Sequence, residues 1–435
     1  MHRAIMLGSV LHAVLSSPLG ATTTVARQDL PPSDTTALTI AEARTLAIRQ
    51  NPALLADLER IGAASAELRT ARTYPFNPAI EVEGPSSLSD RGPDRYEIRF
   101  GQEVEWAGQR GRRVAAAEAG LSAARAEAAN EARVVLADVE RTWFTLAAAG
   151  QRLDVAREIR TLNDRLLDAV RIQLSEGEVS LLQANLVEIE AARARARVLA
   201  VEQDVAEAEL ALIRLAGLPA SATVRTAAAE VGAAVRLPDT SLPELSATAL
   251  SNRPDLTASR AYVGRAESLR SLATREALPN VGIAGIAERE APGVAPRFGL
   301  AFSVPVPLFD RNQGLREGRA VEVRQAGLTV RAVELRVRTE VADAFRAWQA
   351  AARQVQLFES DVLPPARENQ RLLETAYQEG KLDLSTLLLL RNQLLDAELG
   401  YWEAWEQQRM AEVALRSATA TILDDLNLDF REDSR

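Results

Sequence analysis

The chain of 435 residues has no cysteine, and its only two histidines, His2 and His12, fall at its very start. The rest therefore offers no thiol nucleophile, no histidine base and no Cys/His zinc site. Acidic pairs abound, as on any helix surface, and none stands apart. The residues point to no catalytic group, no bound metal and no cofactor. Methionine is almost as scarce (Met1, Met6 and Met410), so the chain lacks the soft ligands with which proteins select soft and borderline metals. No apolar run of eighteen residues occurs in the body of the chain, which argues against a membrane-spanning helix. A formal net charge of -9 argues against nucleic acid as a partner, because phosphate binding needs a basic face. Lys381 is the single lysine among 51 basic residues, a bias read first as codon usage.

What is present is Ala, Leu, Glu and Arg with few aromatics, the composition of long helices in mutual contact. A basic start followed by the apolar stretch Ala4 to Leu19 and small residues predicts a secretory signal peptide over residues 1–26, cut after Ala21 or Ala26. Residues 27–38 read as a polar tether with no core to join. Beyond it the chain contains the same unit twice. Gly111 and Gly314 lie 203 residues apart, and so do Gly177 and Gly380. Between each pair runs a long helix, residues 112–176 and 315–379. Each is about 98 Å long at about 1.5 Å per residue, longer than any compact core, and so part of a rod or a tube.

Repeat 1 is assigned to residues 39–217 and repeat 2 to 241–420, joined by a linker over 218–240 and followed by a tail over 421–435. Thr39 to Glu42 and Ser241 to Glu244 are capping boxes that open the first helix of each repeat. Asn51-Pro52 and Arg253-Pro254 break or kink those helices at matched places. Alternating runs follow at 77–84 and 96–104, and again at 280–288 and 298–306. Alternation predicts strands with one apolar face and one polar or small face. It leaves open whether they form a hairpin on a soluble core or part of a membrane barrel. Four strands with two wet edges cannot sit in lipid, so a barrel requires several chains.

After the strands come sharp corners into the long helices, marked by Trp106, Gly108 and Gly111 and by Pro305, Pro307, Phe309 and Gly314. In the second long helix Val333, Val337, Val341, Phe345, Trp348, Ala352, Val355 and Phe358 form one narrow stripe, a coiled-coil seam. At Gly177 and Gly380 the chain reverses, and Ser180 and Asp383 cap third helices over 180–217 and 383–420. The first and third helices together match the long one, so they can stack end to end beside it.

Signal peptide, two repeats of helix, two strands, long helix and helix: this order resembles the TolC-type outer-membrane efflux proteins, over nearly the whole mature chain. Asn77-Pro78, the Gln102 to Gly111 corner and Pro307-Leu-Phe-Asp-Arg-Asn-Gln-Gly314 are similar to the heavy-metal branch, cobalt–zinc–cadmium or copper–silver. The resemblance implies a mainly α fold with a small transmembrane β part. It implies a homotrimer whose helical hairpins form a tunnel projecting into the periplasm, continuous with a 12-stranded barrel in outer-membrane lipid. It implies docking onto a periplasmic adaptor and an inner-membrane pump of the resistance–nodulation–division type. The adaptor-facing tip would be Gly177, Glu178, Val179 and Ser180, with Tyr377, Gly380, Lys381, Leu382 and Asp383. Where the drug-export archetype carries two acidic gate residues facing the pore, this chain has Thr386 and Leu389. Metal choice would then belong to the pump and adaptor. Export of drugs or solvents and type I secretion are the alternatives within the class; a periplasmic coiled-coil adaptor or a structural protein are those outside it.

Overall fold

Each repeat begins with a capped helix that a proline then interrupts. The computed structural model, which describes residues 36–84, 96–227, 240–290, 294–379, 381 and 383–424, places α1 at Ile40–Gln50 and α2 at Pro52–Arg72. After a short strand β1, Thr36–Leu38, the Thr39 hydroxyl accepts from the Glu42 amide while the Glu42 carboxylate accepts from the Thr39 amide. The second repeat matches it with α5, Leu242–Asn252, and α6, Pro254–Arg275, opened by Ser241 and Glu244. Proline has no amide to continue the helical ladder, and Asn51 and Arg253 both take extended backbone between the two segments.

Those two residues occupy equivalent posts and solve them differently. The Asn51 side chain accepts from the amides of Ala53 and Leu54 and donates to the Leu215 carbonyl. Arg253 donates to the Ala418 carbonyl at 3.4 Å, and also to Asp255 and Glu340. Leu215 and Ala418 end the third helices, α4 (Leu181–Ala216) and the helix Leu384–Ala418. First and third helices thus meet end to end, as the lengths require. At the first joint Gly217 has φ +69, and a Cβ there would stand 2.4 Å from the Gln50 carbonyl oxygen.

The first long helix, α3, spans Gln109–Ser175 without a break. Its 67 residues rise about 100 Å. The second is not one uniform α-helix, as the pattern over 315–379 implied. It runs as α7 (Gln313–Leu357), a π turn (Phe358–Val362) and α8 (Leu363–Gln378). Pro364 and Pro365 follow the π turn. Two adjacent residues without amides cannot keep the ordinary ladder, and a widened turn takes up the mismatch. Below it Gly400 makes room for the Phe358 ring, which a Cβ would meet at 3.0 Å. The third helix of repeat 2, Leu384–Ala418, is α9. The helix α3 lies centrally: α2 and α4 pack along one flank, α6 and α9 along the other, and α7 lies beyond these.

Three expectations about connecting segments are corrected. The tether does join a core: β1 pairs in parallel with β4, Val224–Thr226, inside the expected linker over 218–240. Leu38 is buried, and its carbonyl accepts from the Trp143 indole at 2.9 Å. The tail also begins in the core, where Ile422 is buried and its carbonyl accepts from Arg44. Short polar segments gave no periodic signal; their backbone pairs only after the helices create a place for them. These segments gather around Trp143, Phe144, Leu136, Leu212 and Trp405 at mid-length. Glu140, fully buried there, is held by Arg44 and Arg416. The expected leader over 1–26 and the turn between the first two strands lie outside the described residues.

The Arg253 network sets an acid limit. Burial raises the Asp255 carboxyl, but hydrogen bonds and charge from Arg253, with Arg336 and Arg133, outweigh it and hold the pKa at about 2. Burial, and then the charge of Arg253, lower Arg133 to about 10. A depressed carboxylate stabilises fully above its unfolded value near 4 and ceases to as pH falls through about 2, a contribution of about 2 kcal/mol. Asp255→Asn should lose a similar amount near neutral pH and flatten the acid limb below pH ~4, as thermal melts at stepped pH will measure. Gly217→Ala should cost well over ~1 kcal/mol, from left-handed strain plus the Gln50 clash, whereas Gly177→Ala, with open space around it, should cost about 1 kcal/mol or less.

Candidate membrane face and tunnel tip

The strands β2 (Ala79–Glu83), β3 (Tyr96–Val104), β5 (Val281–Arg289) and β6 (Arg297–Ser303) form one antiparallel sheet in the order β2-β3-β5-β6. Its register sorts the side chains by polarity. Ile80 faces Phe100 and Val82 faces Ile98; Phe100 continues through Gly285 to Leu300, and Ile283 faces Phe302. Residues in register share a face because side chains alternate with period two. On this face Ile80, Val82, Phe298, Leu300 and Phe302 are 69–80% exposed. The other face carries Glu81 beside Arg99, then the row Glu83, Glu97, Glu288 and Arg297, among small residues such as Gly101, Ala284 and Ala301. One side suits hydrocarbon and the other water. The outer edges of β2 and β6 have no strand partner among the described residues.

The corners beneath the sheet are rigid. The Trp106 indole donates to the Pro279 carbonyl at 2.8 Å, and the Tyr74 hydroxyl bridges the Glu103 carbonyl and the Glu105 amide. Of the glycines expected at the corners, Gly111 and Gly314 lie inside the first helical turn, and Gly108 is the one that bends. Gly108, with φ +79, takes the left-handed conformation in the first corner, and in the second Asn312, with φ +60, does so in place of Gly314. Asparagine tolerates it better than most side chains. In the second corner β6 ends at Ser303, so Pro305 and Pro307 follow the ladder, and Phe309 is 90% exposed.

At the opposite end Gly177, with φ +78, closes α3. The Glu178 amide donates to the Gln173 carbonyl and the Gly177 amide to the Leu174 carbonyl, the pair of bonds that closes a helix through a left-handed residue. In repeat 2 the Lys381 amide makes the matching bond to Ala376. Ser180 and Gln183 form a capping box, and the Asp383 carboxylate accepts from the Thr386 amide. Val179 packs on a cluster of Leu166, Val170, Ala184, Leu373, Leu384 and Leu387, so both hairpin ends share one core. Glu178 and Asp383 are exposed, and Lys381 pairs with Glu379. Of the possible gate positions, Thr386 is half-buried and Leu389 is 60% exposed. Gly380, Leu382 and the Tyr377 side chain lie outside the described residues.

Sequence reading missed a further feature. Leu182 and Ile189 on α4, and Val321, Leu328 and Leu335 on α7, form exposed apolar stripes at seven-residue spacing on the two outer flanks of the helical wall. A second heptad phase on each helix was the available signal.

The sequence pattern of the outer membrane efflux protein family matches residues 43–218 and 245–421, the two repeats. The chain belongs to that family. This outer membrane efflux protein is thus a transport channel of the outer membrane, not an enzyme. It is 23% identical over 364 residues to the cobalt-zinc-cadmium resistance protein CzcC of Cupriavidus metallidurans, covering 84% of this chain and 85% of that one. Its fold is similar to a membrane protein from Pseudomonas aeruginosa, with TM-score 0.74, 19% identity and coverage of 87% and 90%. It is also similar to CusC, with TM-score 0.73, 17% identity and coverage of 87% and 91%. A third similar structure is VceC of Vibrio cholerae, with TM-score 0.72, 17% identity and coverage of 87% and 95%.

For this efflux protein Leu300→Arg should block insertion of the sheet, at about 2–4 kcal/mol for a cation set in mid-bilayer. Glu81→Gln on the polar face should not. Detergent-extractable protein in outer-membrane fractions will distinguish them.

Proposed function

We propose that three copies of the chain close into one conduit. In that assembly twelve strands form a barrel, and the hairpins form a periplasmic tunnel serving as the outer-membrane component of a tripartite efflux system for heavy-metal cations. The observation that carries this reading is that the unit is open on both flanks at both levels. The sheet has two edges without a strand partner among the described residues, and the helical wall bears an apolar stripe on each side. Different surfaces on the two flanks make a head-to-tail contact, which yields a ring when the rotation closes. Closure satisfies the edge amides and carbonyls that lipid cannot.

The tip formed by Gly177 to Ser180 and by Tyr377 and Gly380 to Asp383 docks the periplasmic adaptor, behind which stands a resistance–nodulation–division pump. Thr386 and Leu389 line the constriction. Heavy-metal cargo is supported by the likeness to a cobalt-zinc-cadmium resistance protein. Soft cations are chosen by Cys, Met and His ligands, so selection falls to the pump and adaptor. The acidic row of Glu83, Glu97 and Glu288 biases the barrel toward cations.

The purified protein should scatter light as a trimer in detergent and conduct in planar bilayers with a cation-selective reversal potential. A deletion strain should become sensitive to Zn, Co, Cd, Cu or Ag salts. A monomer without conductance would end the channel reading, and sensitivity to drugs with unchanged metal tolerance would end the metal assignment.

A further inference from the structure

Directly beneath the apolar sheet lies a group of arginines that form no ion pair among the described residues, although Glu276, Asp310 and Glu317 stand next to three of them in the chain. Arg110 spends its guanidinium on the Arg72 carbonyl at 3.1 and 2.6 Å, Arg311 on that of Pro307, and Arg275 on that of Ala107. These acceptors are uncharged: they orient the guanidiniums without cancelling them. Arg112 and Arg316 are exposed and make no hydrogen bond or ion pair among the described residues. Only nearby groups such as Arg113, chelated by Glu105, are balanced by a carboxylate. This happens in a chain whose net charge is -9.

The placement also runs against helix electrostatics. The amino-terminal end of a helix carries partial positive charge and favours carboxylates, by about 0.3–1 kcal/mol each. Yet α3 and α7 have no acidic residue in their first turns. Arg110 and Arg112 stand in the first turn of α3, and Arg316 in that of α7. The rule is broken at the start of α3, and at α7 it is met only by Asp310, whose carboxylate accepts from the N-cap amide of Asn312, so the arginines there are placed for an external anion.

The surroundings identify the anion. Descending from the apolar face, the surface passes through exposed aromatic side chains, Trp106 at 59% and Phe309 at 90%, and then reaches the guanidiniums. Tails, interface and phosphates follow in that order across a leaflet, and Trp sits at the interface level. Guanidinium groups match phosphate oxygens by charge-assisted, paired hydrogen bonds.

We propose that Arg110, Arg112, Arg275, Arg311 and Arg316 form a collar that binds the headgroups of net-negative phospholipids in the leaflet nearest the helices. The collar fixes the depth at which the sheet sits in the bilayer. This rests on the reading of the sheet as membrane-embedded.

Trp106 provides the probe. The other four tryptophans lie far down the helices: Trp143 is 34 residues beyond Gln109 and Trp348 is 35 beyond Gln313, each about 50 Å at 1.5 Å per residue, and Trp402 and Trp405 pack at the level of Trp143. The full-length protein is reconstituted with brominated phosphatidylglycerol or brominated phosphatidylcholine, and tryptophan quenching is titrated. Phosphatidylglycerol should show a relative association constant about fivefold higher, the effect of roughly one headgroup charge at a basic surface. The R112Q/R316Q double variant should cut the ratio by about half, since three guanidiniums remain, and R353Q, far along α7, should keep it. Equal quenching by the two lipids in the native chain, or a ratio unmoved in R112Q/R316Q, would overturn the collar while leaving the channel intact. No quenching by either lipid would overturn the membrane reading itself.

Discussion

Backbone amides and carbonyls along the free edges of β2 and β6 cannot enter hydrocarbon unpaired, because each would cost several kcal/mol. The rest of the architecture follows from that requirement. The apolar face of Ile80, Phe100, Leu300 and Phe302 needs lipid, and lipid demands that the sheet close. Four strands curl too little to close on themselves. In the proposed assembly further copies supply those edges, and the long helices hold the copies in register below the membrane.

Duplication gives the wall its uniform construction, but each repeat departs from the other where the load differs. Asn51 caps a helix and ties it to α4 with neutral hydrogen bonds. At the matched post Arg253 carries a charge into a nearly dry site, held by Asp255 and Glu340. A buried ion pair of this kind fixes geometry more surely than it adds stability, since desolvation offsets much of the attraction. Likewise α3 runs as one unbroken α-helix, whereas the second long helix carries a π turn above Pro364, seated on Gly400. The two hairpins that share a core at the tip therefore differ in how they are supported.

Much of this was legible in the residues. The fixed offsets of Gly111, Gly177, Gly314 and Gly380 announced the repeat, because each end of a long helix needs its own stop signal. The boxes at Thr39, Ser180 and Ser241 fixed helix starts to the residue, since hydroxyl and carboxylate or amide partners at that spacing do nothing else as well. Alternation located all four long strands within a few residues. Less legible were the corner bends at Gly108 and Asn312, where several candidates stood close together and only backbone geometry chose among them. The parallel pair of Thr36–Leu38 with Val224–Thr226 was illegible, for three-residue segments carry no period.

Local spacing, capping chemistry and hydrophobic alternation by themselves determined the repeat, the order of helices and strands and the absence of thiol and imidazole chemistry, because each of those is set by neighbours within a few residues. Tertiary structure alone decided that a polar tether and a terminal tail would enter the central core, that Arg253 would be buried among carboxylates, and that guanidiniums without an ion pair among the described residues would gather beneath an apolar sheet. Those outcomes join residues separated by tens to hundreds of positions, and no local pattern carries information across such a distance until the long helices have set them side by side.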